Sequence, residues 1–269
     1  MPVVGIDIGG STTKIIGVDQ GVPMPPMQVS AEDPLTSVYG AFGKYISENR
    51  LEIRDISKIT VTGVGASFIK EDIYGIPTCH VSEFNAIGFG GLYLSGLDNA
   101  IIVSMGTGTA FVRASREKIF HMGGTGIGGG TLIGLSSKLL DLSKFDSLVT
   151  LAENGNVNNV DLLIGDISKQ NISSMTAEIT ASNFGKISDY ATRGDIAKGL
   201  INMVFQTIGM MAVFACRIDD TKDVVLCGNL YTIPSAEEIF DGIRKLHGIR
   251  FHLPKNAEYA TAIGSALYG

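Results

Sequence analysis

Val3-Val4-Gly5-Ile6-Asp7-Ile8-Gly9-Gly10-Ser11-Thr12-Thr13-Lys14 is the stretch on which the fold turns, because its logic recurs further along the chain. Val3 to Ile8 is an apolar strand, the glycine pair a bend, and Ile15 to Val18 a second strand, so the segment reads as a glycine-bent hairpin. Ala100 to Thr109 has the same order of apolar run, polar residue, glycine turn and hydroxyl residues. Val103-Ser104-Met105-Gly106-Thr107-Gly108 lies over Ile6-Asp7-Ile8-Gly9-Gly10-Ser11. Ala110 to Ala114 and Lys118 to His121 continue as strands. An internal duplication at about one hundred residues predicts two similar α/β halves rather than a solenoid. The halves are expected at 1–99 and 100–269, with the last helix packing back on the first.

The second hairpin feeds His121-Met122-Gly123-Gly124-Thr125-Gly126-Ile127-Gly128-Gly129-Gly130-Thr131-Leu132-Ile133-Gly134, with six glycines between positions 123 and 130. A helix-compatible run, Leu132 to Leu140, follows at once. Glycine admits close approach of a ligand to the backbone, and the amides and dipole of a helix start favour an anion. The stretch therefore reads as a phosphate cradle. A flexible surface loop is the alternative, although polar linkers rarely alternate glycine with Ile, Thr and Met. It is not a P-loop, because no Lys follows the glycines.

Elsewhere, Pro23 to Pro26 is a turn-rich connection, and Leu35, Val38, Phe42, Tyr45 and Ile46 predict an amphipathic helix over 34–49. Ile59 to Thr62 is a strand ending in Gly63-Val64-Gly65. Thr78 to Val81 is another strand, followed by a helix to about Tyr93 with Ser82 as its N-cap. Phe145 to Glu153 and Asp195 to Ile218 are helical, the latter capped by the Gly194-Asp195 pair. Asp223 to Cys227 is a strand ending in Gly228-Asn229, the kind of junction where α/β folds place ligands. Ala236 to His247 is a helix, Arg250 to Leu253 a strand, and Ala257 to Leu267 a small-residue helix suited to close packing.

The chain has 269 residues, 45% of them hydrophobic, which is enough for one large domain or two medium ones with a substantial core. No apolar run reads as a membrane span, since the 201–216 segment is interrupted by Asn202 and Gln206. No signal peptide is expected. Cys79, Cys216 and Cys227 are scattered with no C-x-x-C pair, which suits a reducing cytoplasm and argues against a zinc or cluster site. A net charge of −6 without a basic block disfavours nucleic acid. Polyphosphate would have to be held by backbone amides and a metal.

The two hairpins and the late Gly-Asn junction resemble the actin-like fold of sugar kinases and heat-shock ATPases, in which two ribonuclease-H-like α/β halves enclose a nucleotide cleft. Within it the chain resembles type II pantothenate kinases. The matching pieces are Gly5-Ile-Asp-Ile-Gly-Gly10 with Lys14, Glu83-Phe-Asn-Ala86, Gly106-Thr-Gly-Thr109 and Gly123-Gly-Thr-Gly-Ile-Gly-Gly-Gly130. Later come Ala152-Glu-Asn-Gly155 with Asn159-Val-Asp161, Ala181-Ser-Asn-Phe-Gly185 and Ala262-Ile-Gly-Ser-Ala-Leu267. The resemblance runs from Val3 to Leu267. It implies ATP-dependent phosphorylation of pantothenate in the cytoplasm, with Mg²⁺, by a homodimer formed through the 195–218 helix and its Met203, Met210 and Met211 face.

Phosphoryl transfer to a hydroxyl needs a held γ-phosphate, a metal and a base. The resemblance makes Glu83 the general base; a helix-dipole role for a first-turn Glu is compatible with that. Asp7 is expected to hold Mg²⁺ through water, its alternative being an Asx-turn residue. Gly9, Gly10, Ser11, Thr12, Thr13 and Lys14 are expected on phosphate. Thr107, Gly108, Gly129, Gly130, Thr131, Leu132 and Ile133 belong to the same ATP site, with Phe145 and Asn229 beside Gly228 on the nucleoside side. Phe145 also reads as ordinary core. Thr107, Ala110 and His121 are expected on the acceptor, and Thr109 reads equally as a β-turn residue.

The departures fall on the acceptor side. The family carries Arg where His121 stands, and a neutral imidazole offers one donor in place of a bidentate fork. It tends to carry Ser where Ala110 stands. Arg113 is a substitute that could reach the pocket, or an exposed strand residue. Another small hydroxyl acceptor thus stays open, as does a non-catalytic ATP-binding sensor or activator of the same fold.

Overall fold

A computed structural model describes residues 1–30, 33–168 and 176–268. The first hairpin forms as read: β1 (Val3–Ile8) pairs antiparallel with β2 (Thr12–Asp19), placing Asp7 directly opposite Lys14. The turn-rich segment contributes two short strands, β3 (Val22–Pro23) and β4 (Met27–Ser30), both antiparallel to β2. Helix α1 (Pro34–Glu48) starts where Asp33 accepts the Thr36 amide at 2.7 Å and Pro34 occupies its first turn. Its Val38, Phe42 and Tyr45 are fully buried, and the Tyr45 hydroxyl accepts the Gly17 amide at 2.6 Å. Strands β5 (Lys58–Thr62) and β6 (Thr78–His80) then add in parallel beside β1. Helix α2 (Glu83–Ser95) follows. Ser82 is its N-cap residue by position but makes no side-chain cap bond.

The second sheet repeats the first. β7 (Asn99–Met105), β8 (Thr109–Ser115) and β9 (Ile119–Thr125) form an antiparallel meander. Helices α3 (Gly129–Leu140) and α4 (Phe145–Ala152) come next. A small excursion follows, with β10 (Leu162–Leu163), α5 (Ile164–Ile167) and β11 (Thr180–Ser182). Long helix α6 (Arg193–Ile218), strand β12 (Asp223–Cys227), helix α7 (Ser235–His247), strand β13 (Arg250–His252) and helix α8 (Ala260–Tyr268) complete the chain. β12 is parallel to β7 and β13 to β12. Each sheet is thus a three-position meander extended by two parallel strands, in the same order. The match extends to one backbone detail. Gly63 after β5 and Gly228 after β12 both have positive φ, at 86° and 91°. A Cβ on Gly63 would lie 2.6 Å from the Ile8 carbonyl oxygen, and one on Gly228 would collide with that of Met105. Only glycine closes either junction.

Helices α3, α4, α6 and α7 cover one face of the second sheet, where Ile101, Val103, Phe111, Val224 and Leu226 join Phe205, Ile208 and Phe240 in the main core. By length and composition α6 alone among the described helices could cross a membrane, yet Val204, Phe205, Ile208, Ala212 and Val213 on it are fully enclosed here. Its start lies two residues earlier than the Gly194-Asp195 cap read from sequence. Thr192 accepts the Asp195 amide while the Asp195 carboxylate accepts the Thr192 amide at 2.8 Å, a capping box.

The opposite face of the second sheet, with Ile102, Val112 and Val225, is covered by α2. Helix α8 packs instead on β1, β2 and β5 of the first sheet. The two helices cross in backbone contact, since a Cβ on Gly90 or Gly264 would overlap the carbonyl oxygen of Ala260 or Ala86.

Candidate active site

The end of β1, the start of β2, strand β9 and the first turn of α2 carry Asp7, Lys14, His121 and Glu83. Asp7 is at the end of β1, with its carboxylate against the Gly63 backbone, where a Cβ would come within 2.7 Å of Oδ1. Burial of the carboxyl raises its pKa to about 6, against an opposing pull from Lys14, and the charge of Glu83 raises it further. Glu83 is exposed at the start of α2. Desolvation raises its pKa and the nearby His121 lowers it. Glu83 therefore lies within electrostatic reach of Asp7 on one side and of His121 on the other.

Lys14 is 7% exposed and donates from Nζ to the Glu258 carbonyl oxygen at 2.6 Å. Its ammonium, read from sequence as a phosphate contact, is in this structure held by the turn before α8. Desolvation lowers its pKa, opposed by Asp7, Glu258 and Cys227. Glu258, whose Oε2 is buried without a hydrogen-bond partner, and Tyr231 beside it carry no motif that sequence reading could have used.

Gly10 and Ser11 are exposed at the tip of the first hairpin, with Gly9 and Thr12 half-buried. The Gly9 amide closes the turn on the Thr12 carbonyl at 3.0 Å. Thr13 is fully buried, and its hydroxyl has no hydrogen-bond partner among the described residues. In the second hairpin Thr107 is exposed and Gly108 half-buried. Thr109 is buried and donates to the Ile127 carbonyl at 2.8 Å, the structural one of its two readings.

The glycine stretch differs from its sequence reading. Its first half is β9, and α3 begins at Gly129, three residues before the apolar run. The amides of Gly129 and Gly130 donate to the carbonyls of Gly106 and Thr107, both at 2.9 Å. They are spent on docking α3 against the second hairpin rather than free to cradle an anion. Thr131 is likewise engaged, accepting from the Gly128 amide and donating to the Gly126 carbonyl at 2.9 Å. Leu132 is fully buried in the main core, so its side chain presents nothing to a ligand. Ile133 is half-buried, and Phe145 packs against that same core. The stretch builds the wall behind the second hairpin.

Asn229, expected on the nucleoside, is half-buried at the Gly228 junction, its backbone carbonyl accepting from the Thr232 hydroxyl at 2.8 Å. Of the residues expected on the acceptor, Ala110 is half-buried and His121 exposed, with its ring stacked on Phe84 at a centroid distance of 3.8 Å and an interplanar angle of 10°. Arg113 does not reach the site: it is paired with Asp219 at 2.6 Å. Among the described residues no group of three His, Cys, Asp or Glu side chains could hold a metal by itself. Asp7 could supply one carboxylate to Mg²⁺, which takes one or two and completes its shell with water and phosphate. An open groove of about 870 Å³ between α4 and the start of α6, lined by Asp146, Thr150, Asn154, Thr192 and Arg193, contains none of the residues expected on ATP, metal or acceptor, although Asn154 belongs to a matching motif.

The two sheets of one order, with a hairpin at each and acids between them, define the fold of actin-like ATPases and sugar kinases. The chain is similar over its whole length to the activator of the 2-hydroxyisocaproyl-CoA dehydratase from Clostridium difficile, with TM-score 0.71, 18% identity and 94% of that chain covered. It also resembles a ROK family glucokinase from Streptomyces griseus, with TM-score 0.64, 11% identity and 99% of that chain covered. The model of the Fumble family matches residues 99–237, more than half of the chain, which therefore belongs to that family. The type II pantothenate kinase of Staphylococcus haemolyticus is 28% identical across 97% of this chain and 98% of its own.

Proposed function

We propose that the chain is a type II pantothenate kinase, transferring the γ-phosphoryl group of ATP to the hydroxyl of pantothenate to give 4'-phosphopantothenate, the first step of coenzyme A synthesis. The observation that carries this reading is the near end-to-end alignment of the chain with type II pantothenate kinases, and Asp7 at the end of β1 and Glu83 at the start of α2 support it.

In this reading Gly9, Gly10, Ser11 and Thr12 meet the phosphates from one side, and Thr107 and Gly108 from the other. Gly129, Gly130 and Thr131 support the second hairpin, and Asn229 faces the nucleoside. Glu83 accepts the hydroxyl proton as the acceptor oxygen bonds to the γ-phosphorus and the bond to the departing ADP oxygen breaks. Held at Asp7 through water, Mg²⁺ would neutralise charge on the phosphates. The lobes of the cleft divide near residue 99, with α8 packed back on the first sheet and α2 on the second. The three free cysteines support a reducing cytoplasm. Met203, Met210 and Met211 pack against the protein's own main core and so do not form the expected face; exposed Phe214 and Ile218 near the end of α6 support pairing of two copies there instead.

The test is ATP consumption over pantothenate, pantetheine and a panel of sugars. Saturable turnover on pantothenate is expected. Turnover on another hydroxyl compound alone would move the assignment to that acceptor, in keeping with His121 and Ala110. Intact ATP binding with no acceptor-dependent turnover would leave a sensor or activator.

A further inference from the structure

Strand β9 carries one residue more than β8 across from it: Phe111 pairs with Gly123 and Val112 with His121, leaving Met122 outside the register. Without that bulge, period-two alternation would place Met122 beside Val112 on the α2 side and turn His121 toward the main core. With it, Met122 packs on the main core while Ile119 and His121 turn to α2. Ile119 packs where a Cβ on Gly88 would strike it at 2.8 Å, which pins β9 against the helix. His121, two residues on, lands flat on Phe84, one residue from Glu83.

The geometry points to Phe84 as a specificity-determining positioning residue, which holds the His121 ring beside the general base so that its edge addresses the acceptor. One ring face is used by Phe84, and the edge carries the two nitrogens, at least one of them an N–H donor. An exposed histidine free of the stack would sample several rotamers, and fixing it on the acceptor would cost entropy. Phe84 removes that cost beforehand, because it is anchored in the α2 core and half-buried. The acceptor this selects is a small hydroxy compound with a second oxygen-bearing group within one ring's reach of the hydroxyl. The inference rests on Glu83 marking the acceptor end of the cleft, as in the function proposed above.

The test is a double-mutant cycle in the full-length protein, with Phe84→Leu, His121→Gln, both together, and Phe84→Tyr. Stacking of this kind is worth about three- to tenfold in an equilibrium constant. Phe84→Leu is expected to raise the acceptor KM by that factor and to leave the ATP KM alone. It should add nothing once His121 is Gln, whereas Phe84→Tyr, which can still stack, should retain wild-type behaviour. Additive losses, an equal rise in the ATP KM, or a Tyr variant as impaired as Leu would overturn the proposal. The ring protons of His121 supply a readout independent of turnover. Their resonances should be shifted upfield by Phe84, return in Phe84→Leu and stay in Phe84→Tyr. Unshifted wild-type resonances would overturn the stack even in an active pantothenate kinase, and shifted ones in a protein inert toward pantothenate would support it while refuting only the acceptor.

Discussion

Asp7 pairs across the hairpin with a lysine, which ought to keep its carboxyl acidic, yet enclosure against Gly63 and the charge of Glu83 raise it to about 6. The sign of the consequence is fixed by linkage. An acid whose pKa is higher folded than unfolded binds its proton more tightly in the fold. It contributes stability that is fully present below about 4 and lost as the pH climbs through about 6. Above that pH the ionised group costs about 3 kcal/mol, from roughly two units at 1.36 kcal/mol each. Asp7→Asn in the protein without nucleotide or metal should therefore be more stable than wild type at pH 7 by up to about 3 kcal/mol. Urea denaturation at pH 4 and pH 7 measures it, and a variant no more stable at pH 7 than at pH 4, relative to wild type, would count against the burial argument. The same substitution should abolish turnover, because the anion that weakens the free protein is the one the phosphate site uses.

The crossing of α2 and α8 depends on an absence of side chain at two positions. A methyl group on Gly264 would overlap the Ala86 carbonyl oxygen, a backbone atom with nowhere to go, whereas one on Gly242 in α7 would meet nothing within 4 Å. Gly264→Ala should cost about 3 kcal/mol or more, as overpacking does when the neighbour is rigid. Gly242→Ala should be neutral or stabilise by about 0.5–1 kcal/mol through helix propensity. Thermal unfolding of the pair settles it, and equal effects would contradict the close crossing. These elements also mark where sequence reading stops. The hairpins and α1 could be read because strand alternation, the glycine bend and the Val38-Phe42-Tyr45 spacing are local signals. The bulge at Met122 could not, because it is a relation between β8 and β9. The capping box of α6 was misplaced by two residues because Gly194 and Asp195 look like a cap when the Thr192 hydrogen bonds are unseen. The amides of Gly129 and Gly130 looked free for an anion because nothing local shows that the Gly106 and Thr107 carbonyls will claim them.

Across the molecule, the duplication read from Val3–Lys14 and Val103–Gly108 is a repetition of whole sheets, down to the paired glycine junctions at Gly63 and Gly228. Asp7 and Glu83 could be picked out by residue type at a strand end and a helix start. Glu258, Tyr231 and Phe84 could not, since each acquires meaning only when a distant segment folds onto it. The arrangement proposed sets Asp7 of the first sheet and Glu83 of α2 with His121 of the second sheet. Its central claim is a phosphoryl transfer with Glu83 as base. Transfer of radiolabel from the γ-position of ATP to pantothenate, followed in parallel for wild type and Glu83→Gln, tests it most directly. The account predicts labelled phosphopantothenate from wild type and a rate about 10²–10⁴-fold lower from the variant, with ATP affinity preserved. Labelled product at a near-normal rate from Glu83→Gln, or none from wild type, would contradict it.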